Sequence, residues 1–576
     1  MKKLTQLKPR FNKDAIDYGN FREMLAHSAK KFAGKTAFII KHKKSKTEIE
    51  YEHITFEMLR DQVNLFGAGL HTAGLQGHTF AISGKNSYPW IQSYFAVLGG
   101  LGTCVPLDNG LPLEELESSL ARSYADVFIF DPAKVDMVEQ LKANGKTKVT
   151  TWIAMSECGD YPTIAQYMEE GKKVLEAGDD TYLNLPIDGE AVSILLFTSG
   201  TTSMAKAVML SQRNILSNVY ALAHTEDVRS TDTNMAFLPY HHTFGSTGQI
   251  LMIACGAATA YCDGLKHLQK NIVEYKVSLF FCVPLLIESI YKRVMQTVKK
   301  QGKEKKVEFG RKLCNFLLKF GIDIRRKVFK EILDQLGGEI RFVISGAAAI
   351  DPEAIAGFND FGIKAVQGFG MTEAAPVITA ENHFEQEYGS IGRPIEGVEV
   401  EIFEPNEEGV GELIARGPNV MHGYFENEEA TAETLVDGWL HTGDLAYISD
   451  TGYVYICGRK KNVIVLKNGK NVYPEEIEVL IANLPYVEEV MVFGQQKGDD
   501  ERDIALAVKI VYKADVLKEE GLTDADEINA YIKKDIDEIN ATLPVYKQIL
   551  RVITTDQPMI KTTTGKVKRY EEAKKL

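Results

Sequence analysis

Residues Ala191–Gln212 read AVSILLFTSGTTSMAKAVMLSQ. An apolar run breaks into hydroxyl side chains around one glycine, passes Lys206 and becomes apolar again before the helical pattern SQRNILSNVYALAH. Two short apolar runs on either side of a turn predict two buried strands followed by a helix. The polar stretch between them is either a loop that grips phosphate or a Ser/Thr-rich turn, and the rest of the chain decides between these.

Outward from this stretch, short β-type runs (TFAIS, DVFIF, SILLF, IRFVIS, IKAVQ) alternate with helical patterns such as PLEELESSLARS. That alternation predicts an α/β fold with parallel sheet covered by helices. Two of the strands end in glycine turns, FVISGAAAI and AVQGFGMTE. Ligands of open α/β sheets collect at such carboxyl ends. After about Tyr388 the texture changes to short strands (VEVEIFE, GELIARG, LAYIS, YVYICG), then to the polar joint GRKKN. A hairpin, a helix opened by Pro474, the strand DIALAVKIVY and the amphipathic DEINAYIKKDIDEINATL then predict a small α+β domain. The expected organisation is a large N-terminal domain over 1–457, comprising α/β subdomains 1–180 and 181–387 and a β-rich, barrel-like 388–457. A hinge at 458–461 and a small mobile α+β domain over 462–576 complete it.

The bulk properties narrow the function. At 576 residues the chain is long enough for several folding units. A formal charge of -13 argues against nucleic acid as a partner, because phosphate backbones reward basic surfaces. Seven scattered cysteines without CxxC spacing predict buried free thiols in a reducing compartment. The basic start MKKLTQLKPRFNKDA lacks a signal-peptide core, and no apolar run reaches membrane-span length, so a cytoplasmic location is expected. One stretch, YKRVMQTVKKQGKEKKVEFGRKLCNFLLKFGIDIRRKVFKEIL, is basic and helical in this acidic chain. It reads as a solvated face or as a docking surface for anionic lipid or an acidic tail.

The loop fails the GxxxxGK[ST] pattern: Ala205 and Ala207 stand where glycine and Ser/Thr are required. Thr198, Ser199, Thr201 and Thr202 still offer hydroxyl donors, Gly200 permits close backbone approach, and Lys206 supplies a point charge. Charge-assisted bonds of this kind contribute roughly 1.5–3 kcal/mol each.

FTSGTTSMAKAVML resembles the signature of the adenylate-forming (AMP-binding) superfamily. LPYHHTFG, SGAAAI, QGFGMTE, GELIARGPNVMHGYFENEEATAETLVDGWLHTGDLAY, GRKKNVIVLKNGKNVYPEEIE and IKTTTGKVKR follow in that family's order. The resemblance is nearest to long-chain fatty-acyl-CoA synthetases, whose basic helical insertion and RRKVFKEILDQLGGEIRF wording this chain shares. It implies joining a fatty acid to AMP from ATP, then transferring the acyl group to CoA, with Mg²⁺ required.

Matched motif by motif, the loop Thr198 to Lys206 would hold pyrophosphate, with Thr201 and Glu373 serving the metal. Phe369, within Gly368, Phe369, Gly370 and Met371, would stack on adenine, keeping the π-face that the family usually supplies from tyrosine. Thr372 would bind the α-phosphate. Asp444 would take the ribose hydroxyls, assisted by Arg459. His242 would stand beside the acyl pocket, with Gly346, Ala347 and other small residues leaving an apolar channel. Lys461 marks the hinge, Gly469 the pantetheine tunnel, and Lys566 the lysine that reaches the carboxylate and α-phosphate. His241 and His242 together suggest metal, but no third ligand has suitable spacing. The loop departs from the family at Ser203, Ala205 and Ala207, which reads as retuning. The alternatives are transfer of the fatty acyl group to a carrier protein's phosphopantetheine, and a weakened, non-catalytic nucleotide or lipid binder.

Overall fold

The computed structural model describes residues 4–45, 48–198, 205–467, 470–496, 504–561 and 567–575. They divide into two compact units. One contains residues up to Thr198, Lys206–Val400 and Ala415–Leu440, and the other contains Ala205, Glu401–Ile414 and the described residues from His441 on.

The first unit holds the opening stretch. β1 (Val192–Thr198) pairs antiparallel with β2 (Lys206–Ser211), in the register Thr198↔Lys206. Ile194, Leu195 and Leu196 are buried, as a continuous apolar strand covered on both faces requires. These two strands belong to a seven-stranded sheet whose other end is parallel: β1 joins Gly102–Leu107, His78–Ser83, Val127–Phe130 and Thr151–Ala154. The short strand Gly423–Tyr424 closes the β2 edge. Helix α1 (Gln212–Thr225) starts immediately after β2, where Ser211 and Asn214 form a reciprocal capping box. Asn214 Nδ2 also donates to the carbonyls of Pro418 and Val420, at 2.8 and 3.0 Å. The cap therefore also tethers the segment leading to Tyr424.

A nine-stranded sheet forms the rest of this unit. Six adjacent strands are parallel, and the predicted IRFVIS and IKAVQ are neighbours among them. Antiparallel strands close both edges, an addition the alternation of elements did not reveal. Helix α2 (Thr243–Cys255) leaves the LPYHHTFG motif, and α3 (Glu304–Leu318) lies in the basic insertion. The second of the two neighbouring strands, β3 (Lys364–Gly370), includes the GFG residues, which continue the strand where a glycine turn was expected, because they pair with the following antiparallel strand.

From His441 on, β4 (Trp439–Ile448) belongs to the second unit, where it pairs antiparallel with β5 (Val454–Arg459) across the DTG turn. Beyond them, the strands Val487–Gln496, Ile504–Tyr512 and Ile549–Thr555 make a three-stranded sheet. The helix Ala525–Thr542 buries Ile528, Ile532 and Ile536, one stripe at i, i+4, i+8, against it. No helix among the described residues is long and apolar enough to cross a membrane. All seven cysteines are free thiols; Cys158 and Cys262 are half-buried, not buried as the composition suggested.

Candidate active site

β3 ends where its hydrogen bonding switches from a parallel neighbour to an antiparallel one. Ser345↔Gln367 is the last parallel pair, and Gly368↔Ala380, Phe369↔Thr379 and Gly370↔Val377 follow on the other edge. Gly370 is needed there for close approach: a Cβ at this position would lie 2.0 Å from the Pro376 carbonyl oxygen. Phe369 is half-buried in this last stretch of β3, with Met371 and Thr372 half-exposed beyond it and Glu373 buried. The SGAAAI turn leaves the adjacent parallel strand, so Gly346 and Phe369 follow neighbouring carboxyl ends. Ala347 adopts the left-handed region at φ 75. The α2 aromatic Phe244 lies against Gly346, where a Cβ would sit 3.1 Å from the ring.

The loop carrying Thr372 and Glu373 is clamped by several segments. Asn218 on α1 accepts from Val377 N at 2.8 Å and donates to the carbonyls of Val377 and Ala374. Asn419 Nδ2 donates to the same two carbonyls at 2.9 and 3.0 Å. On α2, Thr247 Oγ1 donates to Ala375 O at 3.2 Å. Met421 N donates to the carbonyl of Glu373 itself at 2.9 Å. Together these hydrogen bonds fix the backbone that aims one carboxylate.

Tyr424 links that carboxylate to Lys206. Its hydroxyl donates to Glu373 Oε1 at 2.8 Å, and the Lys206 ammonium sits over its ring, 4.6 Å from the centroid. Burial first, and then the Glu373 charge, raise the phenol's pKa, so it remains a donor. At the loop's base Thr198 Oγ1 donates to the Lys206 carbonyl at 3.3 Å. One anchored aromatic residue therefore positions a cation and an anion that the sequence places 167 residues apart. Ser199, Gly200, Thr201 and Thr202 lie outside the described residues, as do Gly469 and Lys566.

In the second unit Asp444 is buried opposite Arg459, whose Nε is 2.9 Å from Oδ1. The turn before it is held by Glu412, which accepts from Gly443 N, Lys460 Nζ and His441 Nδ1 at 3.0, 2.9 and 3.1 Å. Burial raises the Glu412 pKa, but these bonds more than offset it and hold the carboxyl below its usual value. Thr442 Oγ1 accepts from Asp444 N at 3.1 Å and donates to Leu413 O at 2.7 Å. Lys461 is exposed in the turn after β5, and the neighbouring Asn462 donates to Glu475 Oε1 at 2.6 Å.

His242 starts α2 and is half-exposed, with its ring 4.3 Å from that of His241. No group of three or more His, Cys, Asp or Glu suited to a metal occurs among the described residues. A single buried carboxylate, Glu373, bonded to Tyr424 still fits Mg²⁺, which is held by one or two carboxylates together with substrate phosphates and waters. Sequence reasoning missed Tyr424, Asn218, Asn419 and Thr247. Tyr424 and Asn419 lie inside the quoted GPNVMHGYFENEE and Asn218 inside SQRNILSNVYALAH, but residue type alone did not single them out; Thr247 lies in none of the quoted stretches.

The AMP-binding enzyme family matches residues 25–425, and its C-terminal domain matches residues 461–575. The chain belongs to the AMP-binding enzymes. Among its relatives, peroxisomal long chain acyl-CoA synthetase 6 of Arabidopsis thaliana is 31% identical over 351 residues, 58% of this chain and 49% of that protein. The chain thus spans about half the length of that relative. Feruloyl-CoA synthase of Amycolatopsis sp is 27% identical over 90% of this chain and 93% of its own. The crystal structure of the anthranilate CoA ligase AuaEII with anthranoyl-AMP has the same fold, with a TM-score of 0.76, 20% identity and 98% of each chain covered. Membership brings with it a class of reaction, adenylate-forming acid–CoA ligation, with ATP, Mg²⁺ and CoA.

Tyr424 supplies a direct test of the site in this AMP-binding enzyme. Tyr424→Phe keeps the ring beneath Lys206 and deletes the hydroxyl's hydrogen bonds to Glu373 and Thr434. A bond to a charged group contributes about 1.5 kcal/mol or more, so kcat/KM for ATP is expected to fall about tenfold. The loss should be greatest at subsaturating Mg²⁺, and titration of Mg²⁺ in both proteins checks this. An unchanged Mg²⁺ dependence would remove Tyr424 from the site.

Proposed function

We propose that this chain activates a fatty acid as its acyl-adenylate and passes the acyl group to CoA. A carboxylate oxygen attacks the α-phosphorus of ATP, the bond to the β-phosphate oxygen breaks, and pyrophosphate leaves. The thiol sulfur of CoA then attacks the acyl carbon and AMP departs with the bond electrons. The first step turns an oxide leaving group into a phosphate one, which makes the second step feasible.

The roles follow the chemistry of the side chains. Lys206 and the hydroxyls of Thr198, Ser199, Thr201 and Thr202 would hold the departing pyrophosphate. Thr372 would bond the α-phosphate, and Phe369 with Gly368, Gly370 and Met371 would receive adenine. Asp444 and Arg459 would hold the ribose, and Lys566 would meet the charge that builds during adenylation. Glu373 would hold Mg²⁺, which when bound neutralises phosphate charge. His242, Gly346 and Ala347 would border the acyl group. Lys461 and Gly469 would serve the hinge and the pantetheine path.

The observation that supports an apolar acid is the lining contributed by α2. Gly248 faces the Phe281 ring, and Phe244 meets Phe281 edge to face at 6.0 Å, while Gly245 packs on the backbone carbonyls of Leu238 and Pro239. Such surfaces reward alkyl or aryl groups over charged ones. The likeness to feruloyl-CoA synthase favours a second reading, an aromatic acid. Acids from acetate to stearate, together with ferulate and benzoate, separate the two by AMP release with CoA. Fatty acids of eight or more carbons should give kcat/KM at least tenfold above the aromatic acids. The reverse order overturns the fatty-acid assignment. Turnover with holo-carrier protein but not CoA would replace the acceptor, and no acid-dependent pyrophosphate exchange would leave a nucleotide binder.

A further inference from the structure

Helix α3 carries two apolar faces, and only one of them is packed. Val307, Gly310 and Cys314 are buried. Gly310 brings the helix close to Val328 and Phe329, whose side chains would lie 3.1 and 3.2 Å from a Cβ there. Arg311 Nε and Asn315 Nδ2 clamp both oxygens of Asp360, at 2.6 and 2.8 Å. These contacts seat the helix without its second face.

That second face is a row of large apolar side chains turned to solvent. Phe309, Leu313, Phe316 and Phe320 are 68%, 38%, 57% and 67% exposed. Their spacing of i, i+4, i+7 and i+11 keeps them within roughly 60° of one another around a helix of 3.6 residues per turn. Phe316 and Phe320 meet edge to face at 5.2 Å, so the row continues past the last helical residue, Leu318. Exposed lysines flank it: Lys305, Lys312 and Lys319 on one side and Lys306 on the other. Residues 291–333 hold fourteen Lys and Arg against four Asp and Glu, in a chain of formal charge -13.

We propose that this face of α3 docks the protein onto an anionic lipid bilayer. A helix with a bulky apolar row and lysine edges settles at the boundary between headgroups and acyl chains, its ammonium groups reaching back to lipid phosphates. The local charge complements such a surface, whereas the acidic remainder of the molecule is repelled, so the charge distribution also orients the protein. A folded protein partner needs a shaped surface of about 1,000 Å² or more in total. Four side chains in single file offer a ridge, which a fluid bilayer receives without shape matching. The inference stands on α3 alone and is independent of which acid is activated.

Flotation of the full chain with vesicles tests it. Phosphatidylcholine vesicles containing about a third phosphatidylglycerol should bind at least tenfold more tightly than phosphatidylcholine alone, and salt at about 0.5 M should weaken that binding. The triple change Phe309→Ser, Phe316→Ser, Phe320→Ser should lose tenfold or more in binding while melting at the same temperature as the parent. Lys305→Glu with Lys312→Glu and Lys319→Glu should abolish the preference for anionic lipid. If the triple variant does not fold, Phe316→Trp reports instead, its indole emission shifting to the blue only with anionic vesicles. Equal binding to both vesicle types, undiminished binding by the triple variant, or an unshifted emission from the Phe316→Trp protein overturns the proposal. So does a dimer, or a complex with an acidic carrier protein, that the triple variant loses while vesicle binding is absent throughout.

Discussion

Lys566→Ala is expected to lower adenylate formation about a thousandfold while leaving the conversion of supplied acyl-adenylate to thioester near the parent rate. The sequence places this lysine in TTTGKVKR, where the family resemblance assigns it to the carboxylate and α-phosphate. A unit charge at ~4 Å and an effective dielectric of ~20 interacts by about 4 kcal/mol before desolvation. At about 1.4 kcal/mol per decade that is roughly three decades in rate. The flanking backbone is anchored: Lys561 and Val567 form an antiparallel bridge, and Met559 N donates to Glu489 Oε2 at 2.8 Å. Removing the side chain therefore should not unseat the second unit. Pyrophosphate exchange and thioester formation from synthetic acyl-adenylate measure the two halves separately. Equal loss in both would show that the lysine acts in binding or folding, and the two-step assignment would fail.

The second large effect concerns stability. Glu226, at the carboxyl end of α1, is fully buried, and neither of its oxygens has a hydrogen-bond partner among the described residues. Burial first, then the neighbouring Glu381 and Asp227, push its pKa well above the usual carboxylate value. Glu381 is raised to about 7, chiefly by burial, although Gln386, Glu387 N, Gln367 N and Ser390 all donate to it. Asp227 is held by Arg229, Arg341 and Lys364, so those cations are already engaged. A raised carboxyl pKa means that the folded protein keeps a proton the unfolded chain releases above pH ~4.5. Stability then falls as pH rises, by about 1.4 kcal/mol per unit for each group still protonated only in the fold.

Glu226→Gln removes that proton uptake. Its melting temperature is expected to match the parent near pH 5 and to exceed it increasingly towards pH 8. At about 1.4 kcal/mol per pH unit the gain should reach up to about 4 kcal/mol by pH 8. Glu381 should leave a residual slope up to about pH 7. Thermal unfolding of both proteins at several pH values decides the matter. A constant difference from pH 5 to pH 8 would mean that Glu226 is not protonated in the fold.

Much of the architecture was legible because it depends on local patterning. Buried strands such as SILLF and IRFVIS are continuous apolar runs, and α1 announces itself by Ser211 and Asn214 at its cap. The order of the motifs pointed to the family, which matches residues 25–425 and 461–575. Antiparallel edges escaped because strand direction depends on which neighbour a segment meets, and composition does not record that.

By itself the sequence named the residues proposed to carry chemistry: the hydroxyls after Thr198, Lys206, Glu373, Asp444 and the tail lysine. Their charge and donor capacity are properties of side-chain type. Only the tertiary structure decided what holds them. Tyr424 reaches both Lys206 and Glu373 because Gly423–Tyr424 lies on the edge of β2, and Asn218 and Asn419 bind one loop from distant segments. It also decided that Glu226 is buried and that the aromatic row of α3 is not. Hydrogen bonds and burial depend on which groups come within reach after folding, and residues as far apart as 206, 373 and 424 carry no local signal of that encounter.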